Sequence, residues 1–247
     1  MTSPHPWLVH HSPPGPARLT LVCVHHAGGN FRVFKDWPGH FPPDIRVLAV
    51  SLPGRVQRFA ESPLLHVEAI VDALLPSMRE VADGPYALFG HSMGAFIAFE
   101  LARGLRAAGV SLPKHLFVAC GRGPGLPNRY PGLHDLPTAE FLAELRRLEG
   151  TPLELLDNPE MMDALLPLFR ADFGLCDRYV HRPGMPLECP VTVFGGVSDP
   201  TVTRAECAGW REHTSAAFTL RMLAGGHFVV HERARAVAGH IARSLST

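Results

Sequence analysis

Lysine is nearly missing from this sequence: Lys35 and Lys114 stand alone among many arginines. There is also no basic tail and no acidic block; the formal net charge is +0 and the pI is about 7.3. No electrostatic case for nucleic acid follows from such a balance. The 5 cysteines (Cys23, Cys120, Cys176, Cys189 and Cys207) are odd in number, scattered and never in C-x-x-C spacing. That pattern excludes a disulfide framework and a cysteine-type zinc site, and it reads as reduced, mostly buried thiols. No apolar run is long enough to span a bilayer, and the amino terminus lacks a cationic segment followed by an apolar one. A soluble, cytoplasmic protein without a membrane partner is the expectation. Neither G-x-G-x-x-G nor a P-loop occurs, so no nucleotide cofactor is expected.

Apolar residues are plentiful. A chain of 247 residues that is 46% hydrophobic can build one substantial core, and without repeats, low-complexity tracts or a dividing linker it reads as one domain, 1–247. Short apolar runs fill residues 18–24, 45–52, 86–89, 115–120, 191–196 and 218–223 and read as strands, most of them buried on both faces. Helical periodicity fills 67–81, 95–108, 203–213 and 232–245. Strand and helix in alternation predict an α/β fold, a mostly parallel sheet covered by helices on both faces. The rhythm breaks between Cys120 and Val191. A Gly/Pro-rich entry, "GRGPGLPNRYPGL", leads there into helical stretches at 138–148, 158–169 and 172–179. An insertion of that size predicts a helical lid over the carboxyl end of the sheet, at about 125–182.

The chemistry is signalled by "YALFGHSMGAFIAFELARGL". Its centre, Gly90-His91-Ser92-Met93-Gly94, fits G-x-S-x-G between a buried strand and a buried helix. In that setting the serine is forced into a strained turn, and only glycines two residues to either side let strand and helix approach. Ser92 is then presented at a helix amino terminus as a nucleophile, the competing reading being a helix-capping serine in a glycine-rich turn. A serine nucleophile needs a base and an acid from the same end of the sheet. With 15 histidines, position must discriminate: His227 in "LAGGHFVV" follows the last predicted strand, and Asp199 in "VTVFGGVSDPTV" follows the one before. Asp172 and Asp177 compete as the acid but fall in the insertion. An oxyanion hole is expected from the backbone N–H of Met93 and of Ala27, in the glycine-rich loop after the first predicted strand. His25 and His26 invite a metal reading, but adjacent residues of an extended segment point to opposite sides and no carboxylate is near in sequence, so no metal site is expected.

These residues resemble a family, the type II thioesterases that accompany polyketide synthases and nonribosomal peptide synthetases, within the α/β-hydrolase superfamily. The resemblance runs through nearly the whole chain after about Leu19: "HAGG", "LPGR" with Arg58, "YALFGHSMGAFIAFELAR", "HLFVA", "GTPLELLDNPE", "LPLFRADF", "CPVTVFGG", Asp199, Trp210 and "GGHF". It implies an α/β-hydrolase fold, Ser92, Asp199 and His227 as catalytic triad, the Ala27 and Met93 amides as oxyanion hole, and a mobile lid over an acyl pocket. It also implies hydrolysis of acyl thioesters from the phosphopantetheine arm of an acyl- or peptidyl-carrier protein, without metal or cofactor, to remove wrongly loaded acyl groups. In this sequence His25 stands where the family usually has proline, and Val56-Gln57 follows "PGR" where a glutamate is common.

Other functions use the same residues. An oxoester hydrolase or acyltransferase would share the triad, and a catalytically silent interaction protein would share the scaffold. Within the insertion, some of Phe141, Leu145, Met161, Met162, Leu165, Leu166 and Phe169 are expected to line an acyl-binding surface, the alternative being that they form the insertion's own core, with Gly121, Gly123, Gly125 and the nearby prolines as its hinge. Arg122, Arg129, Arg146 and Arg147 are candidates to meet an acidic carrier.

Overall fold

A computed structural model describes residues 7–148 and 156–246. Seven strands form one sheet in the order β1-β3-β2-β4-β5-β6-β7: β1 (Leu8–His10), β2 (Leu19–Val24), β3 (Ile45–Val50), β4 (Tyr86–His91), β5 (Leu116–Ala119), β6 (Val191–Gly196) and β7 (Phe218–Leu223). All neighbours run parallel except β1, which pairs antiparallel to β3. The six strands expected from the apolar runs are all present. β1 was not anticipated: it is a three-residue edge strand, running from buried Leu8 to exposed His10, too short to show a pattern. Strands β2, β4, β5 and β6 are buried along their whole length, as a sheet covered on both faces requires.

Helices α1 (Val67–Val81) and α2 (Met93–Ala107) match the sequence periodicity closely. In α1 the buried Val67, Ile70, Val71, Leu74 and Met78 recur every three to four residues and form one stripe. The insertion carries α3 (Thr138–Arg147) and α4 (Pro159–Arg178). Helix α4 is continuous where two stretches were expected; Asn158 caps it by accepting from the Met161 N–H, and Pro167 is held within it. The last two helical segments are each broken: α5 (Arg204–Ala208) passes into a 3₁₀ turn over Gly209–His213, and α6 (Val229–Glu232) is separated by Arg233 from α7 (Ala234–Ser244). Of the "GTPLELLDNPE" motif, residues 150–155 lie outside the described part of the chain.

The chain moves from β2 to β3 in one direction and then returns past β2 to β4. Adjacent strands β2 and β4 therefore send their carboxyl-terminal loops apart and leave a crevice, which is where ligands bind in sheets of this kind. This is the α/β-hydrolase architecture that the resemblance implies. Among the described residues, no helix is long and apolar enough to cross a membrane.

Two glycines permit the geometry at this crevice. A Cβ on Gly90 would overlap the Gly94 carbonyl, and one on Gly94 would overlap the carbonyl oxygens of Val24 and His25. Backbone cannot move aside as a side chain can. We expect Gly94→Ala to lower stability by at least about 2 kcal/mol, within the range for overpacking, and Tm by roughly 4–8 °C. Gly239→Ala in α7 meets only the Arg243 side chain at 3.5 Å and should leave Tm unchanged or slightly raised. Thermal melts of the two variants check the contrast.

Candidate active site

Ser92 lies between β4 and α2 with φ 55 and ψ −113, a backbone conformation that costs a non-glycine residue on the order of 1–3 kcal/mol. The turn is held by Ser92 N–H donating to the Ala119 carbonyl at 2.8 Å and Ala95 N–H donating to the Ser92 carbonyl at 2.9 Å. The Ser92 side chain accepts no capping hydrogen bond from its helix, so the helix-cap reading fails. Met93 is the first residue of α2, where an amide has no intrahelical carbonyl to meet.

Asp199 and His227 arrive on neighbouring loops after β6 and β7. A Cβ on Gly196 would overlap the carbonyls of Gly225 and Gly226, and Ser198 N–H donates to the Gly225 carbonyl at 3.0 Å. That close approach brings Asp199 Oδ2 to 2.8 Å from His227 Nδ1. The carboxylate is fully buried. Its other oxygen accepts from Thr201 Oγ1 at 2.7 Å and from the Thr201 amide at 2.8 Å. Burial by itself would raise the Asp199 pKa, but the hydrogen bonds from His227 and Thr201 outweigh it and hold the group below its ordinary value. Because an ionised carboxylate only accepts, His227 Nδ1 carries a proton and Nε2 is left as the basic nitrogen. Thr201 was missed from the sequence, although Asp-Pro-Thr is the kind of turn in which an aspartate bonds its own backbone two residues on.

Ser92 and His227 line one cavity of about 120 Å³ with Ala27, Met93, Phe96, Cys120 and, from the insertion, Tyr130, Leu133 and Phe173. Cys120 and Cys176 also reach it, but burial raises the Cys120 thiol pKa well above its ordinary value and pushes Cys176 up to about 12. Both are held as thiols rather than the more nucleophilic thiolates. All five cysteines are free.

The competing aspartates are engaged elsewhere. Asp172 pairs with Arg55; Asp177 accepts from His134 at 2.7 Å and from the Gly132 amide at 3.1 Å. The expected acyl surface needs correction. Phe141, Leu145, Met162 and Phe169 form a separate core of the insertion, with Leu165 and Leu166 packed on it, and Met161 is exposed. Leu133 and Leu148 belong to the same core and Tyr130 and Phe173 pack on it, and it is these four that also line the cavity. At the expected hinge, the Gly121 carbonyl accepts from Trp210 Nε1 at 2.8 Å, and Gly123 N–H donates to the Glu206 carbonyl at 2.9 Å.

Behind the cavity lies a histidine cluster that the sequence did not announce. His91 Nε2 is 2.9 Å from the His227 carbonyl, so it carries the proton, and Nδ1 is left to accept from His231 Nε2 at 3.1 Å. Among the described residues, two groups have ligand atoms within 4.8 Å of one another and could hold a metal: His26 with His91 and His231, and His91 with Cys120 and His227. His25 belongs to neither; its ring bonds the His26 carbonyl at 2.8 Å. Burial keeps these rings neutral, lowering His25 to about 3 and His231 to about 4, with His26 and His91 well below the ordinary value.

Comparison with known proteins adds a lineage. Residues 19–245 match the family model of the thioesterase domain. The chain is 41% identical over 226 residues to the gramicidin S biosynthesis protein GrsT of Aneurinibacillus migulanus, covering 92% of this chain and 88% of that one. It is 36% identical to thioesterase PikA5 of Streptomyces venezuelae, covering 97% of this chain and 85% of that one. Among solved structures, the type II thioesterase BorB from the borrelidin biosynthetic cluster superposes with a TM-score of 0.90 at 38% identity, covering 99% of this chain and 100% of BorB.

The buried neutral histidines have a consequence for stability. An unfolded histidine takes up a proton near pH 6.5, whereas these rings stay neutral in the fold. Below that pH the unfolded chain binds more protons, so stability is fully present above about 6.5 and is lost as pH falls toward the folded values near 4. Tm should fall steadily between pH 7 and pH 5; a flat profile over that interval contradicts the neutral cluster.

Proposed function

The chain belongs to the thioesterase family, and from that premise we propose that it hydrolyses acyl thioesters through a Ser92-His227-Asp199 triad. The observation that carries the proposal is a serine on a strained turn sharing one cavity with a histidine whose Nδ1 proton is fixed by a buried carboxylate.

His227 Nε2 removes the Ser92 proton as Oγ attacks the thioester carbonyl. The backbone amides of Ala27 and Met93, both at the cavity wall, receive the developing oxyanion. Collapse expels the thiolate, which takes the proton from His227 to leave as the thiol, and an acyl-serine remains. A water deprotonated by His227 then attacks the acyl-serine, and Ser92 recovers its proton as the acid is released. Asp199 holds the imidazole tautomer throughout and stabilises the imidazolium; Thr201 keeps that carboxylate oriented. The chain's own residues supply every step.

The substrate is an acyl group on the phosphopantetheine arm of a carrier protein, and the role is the clearing of wrongly loaded acyl groups in the cytoplasm. The mostly apolar lining of the cavity supports this reading, as does similarity to proteins of gramicidin and borrelidin biosynthesis. Of the four arginines considered for a carrier, Arg129, Arg146 and Arg147 are paired with Glu206, Asp157 and Glu144, and Arg122 and Arg129 stand at the cavity. The two at the cavity are the better candidates. The insertion, about 125–182, acts as the lid of this cavity.

Ser92→Ala and His227→Ala should each lower kcat on an acyl thioester by about 10⁴-fold or more, with the double variant little worse than either. Asp199→Asn should cost on the order of 10⁴-fold through the wrong tautomer, by analogy with serine proteases. Additive losses, or turnover without Ser92, contradict the triad. In the same assay, one acyl group on a carrier protein should exceed its coenzyme A form by roughly ten- to a hundredfold in kcat/KM at low salt, with the gap closing as salt screens the charge pairs. Equal values at low salt contradict the carrier reading.

A further inference from the structure

One buried ion pair joins three segments around the candidate oxyanion loop. Asp172, in α4, accepts from Arg55 Nη2 at 2.9 Å through Oδ1 and from Arg55 Nη1 at 3.0 Å through Oδ2. The same Oδ2 accepts from the backbone N–H of Gly28 at 2.7 Å. Arg55 Nη1 also donates to the Gly29 carbonyl at 3.2 Å, and Nε to the Pro53 carbonyl at 3.2 Å. The two side chains are 5% and 2% exposed. One turn earlier on α4, the Phe169 ring packs so closely on Gly28 that a Cβ there would overlap it; Gly28 has φ +72. The residue after Arg55, Val56, has φ 51, a strained conformation for a β-branched side chain.

A buried ion pair rarely adds net stability over apolar residues of the same volume, and its attested use is to specify geometry. Here the geometry specified is that of the loop 27–29. Gly28 N–H is turned toward α4, and Gly29 N–H donates to the His26 carbonyl at 3.1 Å. Ala27, the remaining amide of the three, lines the cavity beside Ser92 and Met93. With both following amides engaged, the orientation of the Ala27 peptide is set by the clamp. Helix α4 divides accordingly at Pro167, whose ring removes one i→i−4 hydrogen bond. After it, Leu168, Phe169, Ala171, Asp172, Gly174 and Leu175 are all buried; before it, only Met162 is.

We propose that Asp172 and Arg55 are positioning residues for the oxyanion hole, so that the site is competent only while the carboxyl-terminal half of α4 is seated on the loop. The insertion thus controls catalysis as well as access. This inference rests on the serine-thioesterase reading given above.

The test separates positioning from mere structural support. Asp172→Asn removes the charge but leaves Arg55 buried without a counterion, so it is paired with the neutral combination Arg55→Met/Asp172→Leu, which keeps apolar volume and removes that penalty. For each, kcat and KM on one acyl thioester, Tm, and the affinity for a tetrahedral boronic-acid inhibitor are measured. Both should show kcat lowered about 10- to 100-fold, somewhat less than loss of an oxyanion donor outright, with KM within about threefold. Boronate affinity should fall with kcat, and the neutral pair should regain Tm without regaining kcat. A neutral pair that recovers kcat along with Tm overturns the proposal, as does a kcat loss with unchanged boronate affinity. If neither variant folds, Arg55→Lys, which keeps the charge and loses the two-pronged contact, carries the same measurements, and wild-type kcat there overturns it. Ser92→Ala keeps the two failures apart: full turnover in Ser92→Ala defeats the underlying reading, whereas an inactive Ser92→Ala beside normal kcat in the clamp variants defeats the clamp alone.

Discussion

Gly94 lets the backbone of α2 rest against the carbonyl oxygens of Val24 and His25, and the geometry at the carboxyl end of the sheet is built outward from that contact. It draws the first turn of α2 up to the loop after β2, so that Met93 and Ala27 face one cavity. It also leaves Ser92 no unstrained conformation between strand and helix. The strain is sustained by the packing around it: β4 and α2 are buried along nearly their whole length, and a well-packed core over-determines a turn that would not persist by itself.

A second close backbone approach, between Gly196 and the carbonyls of Gly225 and Gly226, does for Asp199 and His227 what Gly94 does for Ser92. It aligns two loops so that a short hydrogen bond and a Thr201 brace can hold Asp199 ionised in a dry setting. The apolar environment strengthens that bond and raises the cost of leaving any member unpaired. His227 is thereby oriented from one side, while its backbone carbonyl is held by His91 from the other. His227 is fixed at ring and main chain together.

The parts legible in the sequence were those whose determinants are local. Strands β2, β4, β5 and β6 showed as apolar runs because both faces of the sheet are covered there, and the half-exposed edge strand β7 by its apolar composition alone; the candidate Ser92 showed because its turn requires glycine on either side, and the candidates Asp199 and His227 because each follows its strand directly. Features built by contacts distant along the chain were not legible. Asp172 and Arg55 lie 117 positions apart, and in the sequence Asp172 was only an acid within an insertion. The apolar residues of that insertion looked like pocket lining, since composition cannot tell a small private core from a binding wall. The edge strand β1 is too short to show a period, and the histidine cluster gathers His26, His91 and His231 from three separate elements.

The central claim is that Ser92 is a nucleophile activated by His227. Peptide mapping by mass spectrometry after treatment with a fluorophosphonate tests it most directly, because the reagent bonds covalently to an activated serine. The account predicts one label per chain, on the peptide that carries Ser92, with labelling slowed by orders of magnitude in His227→Ala. Label on another residue, or labelling of Ser92 at an unchanged rate without His227, would contradict it.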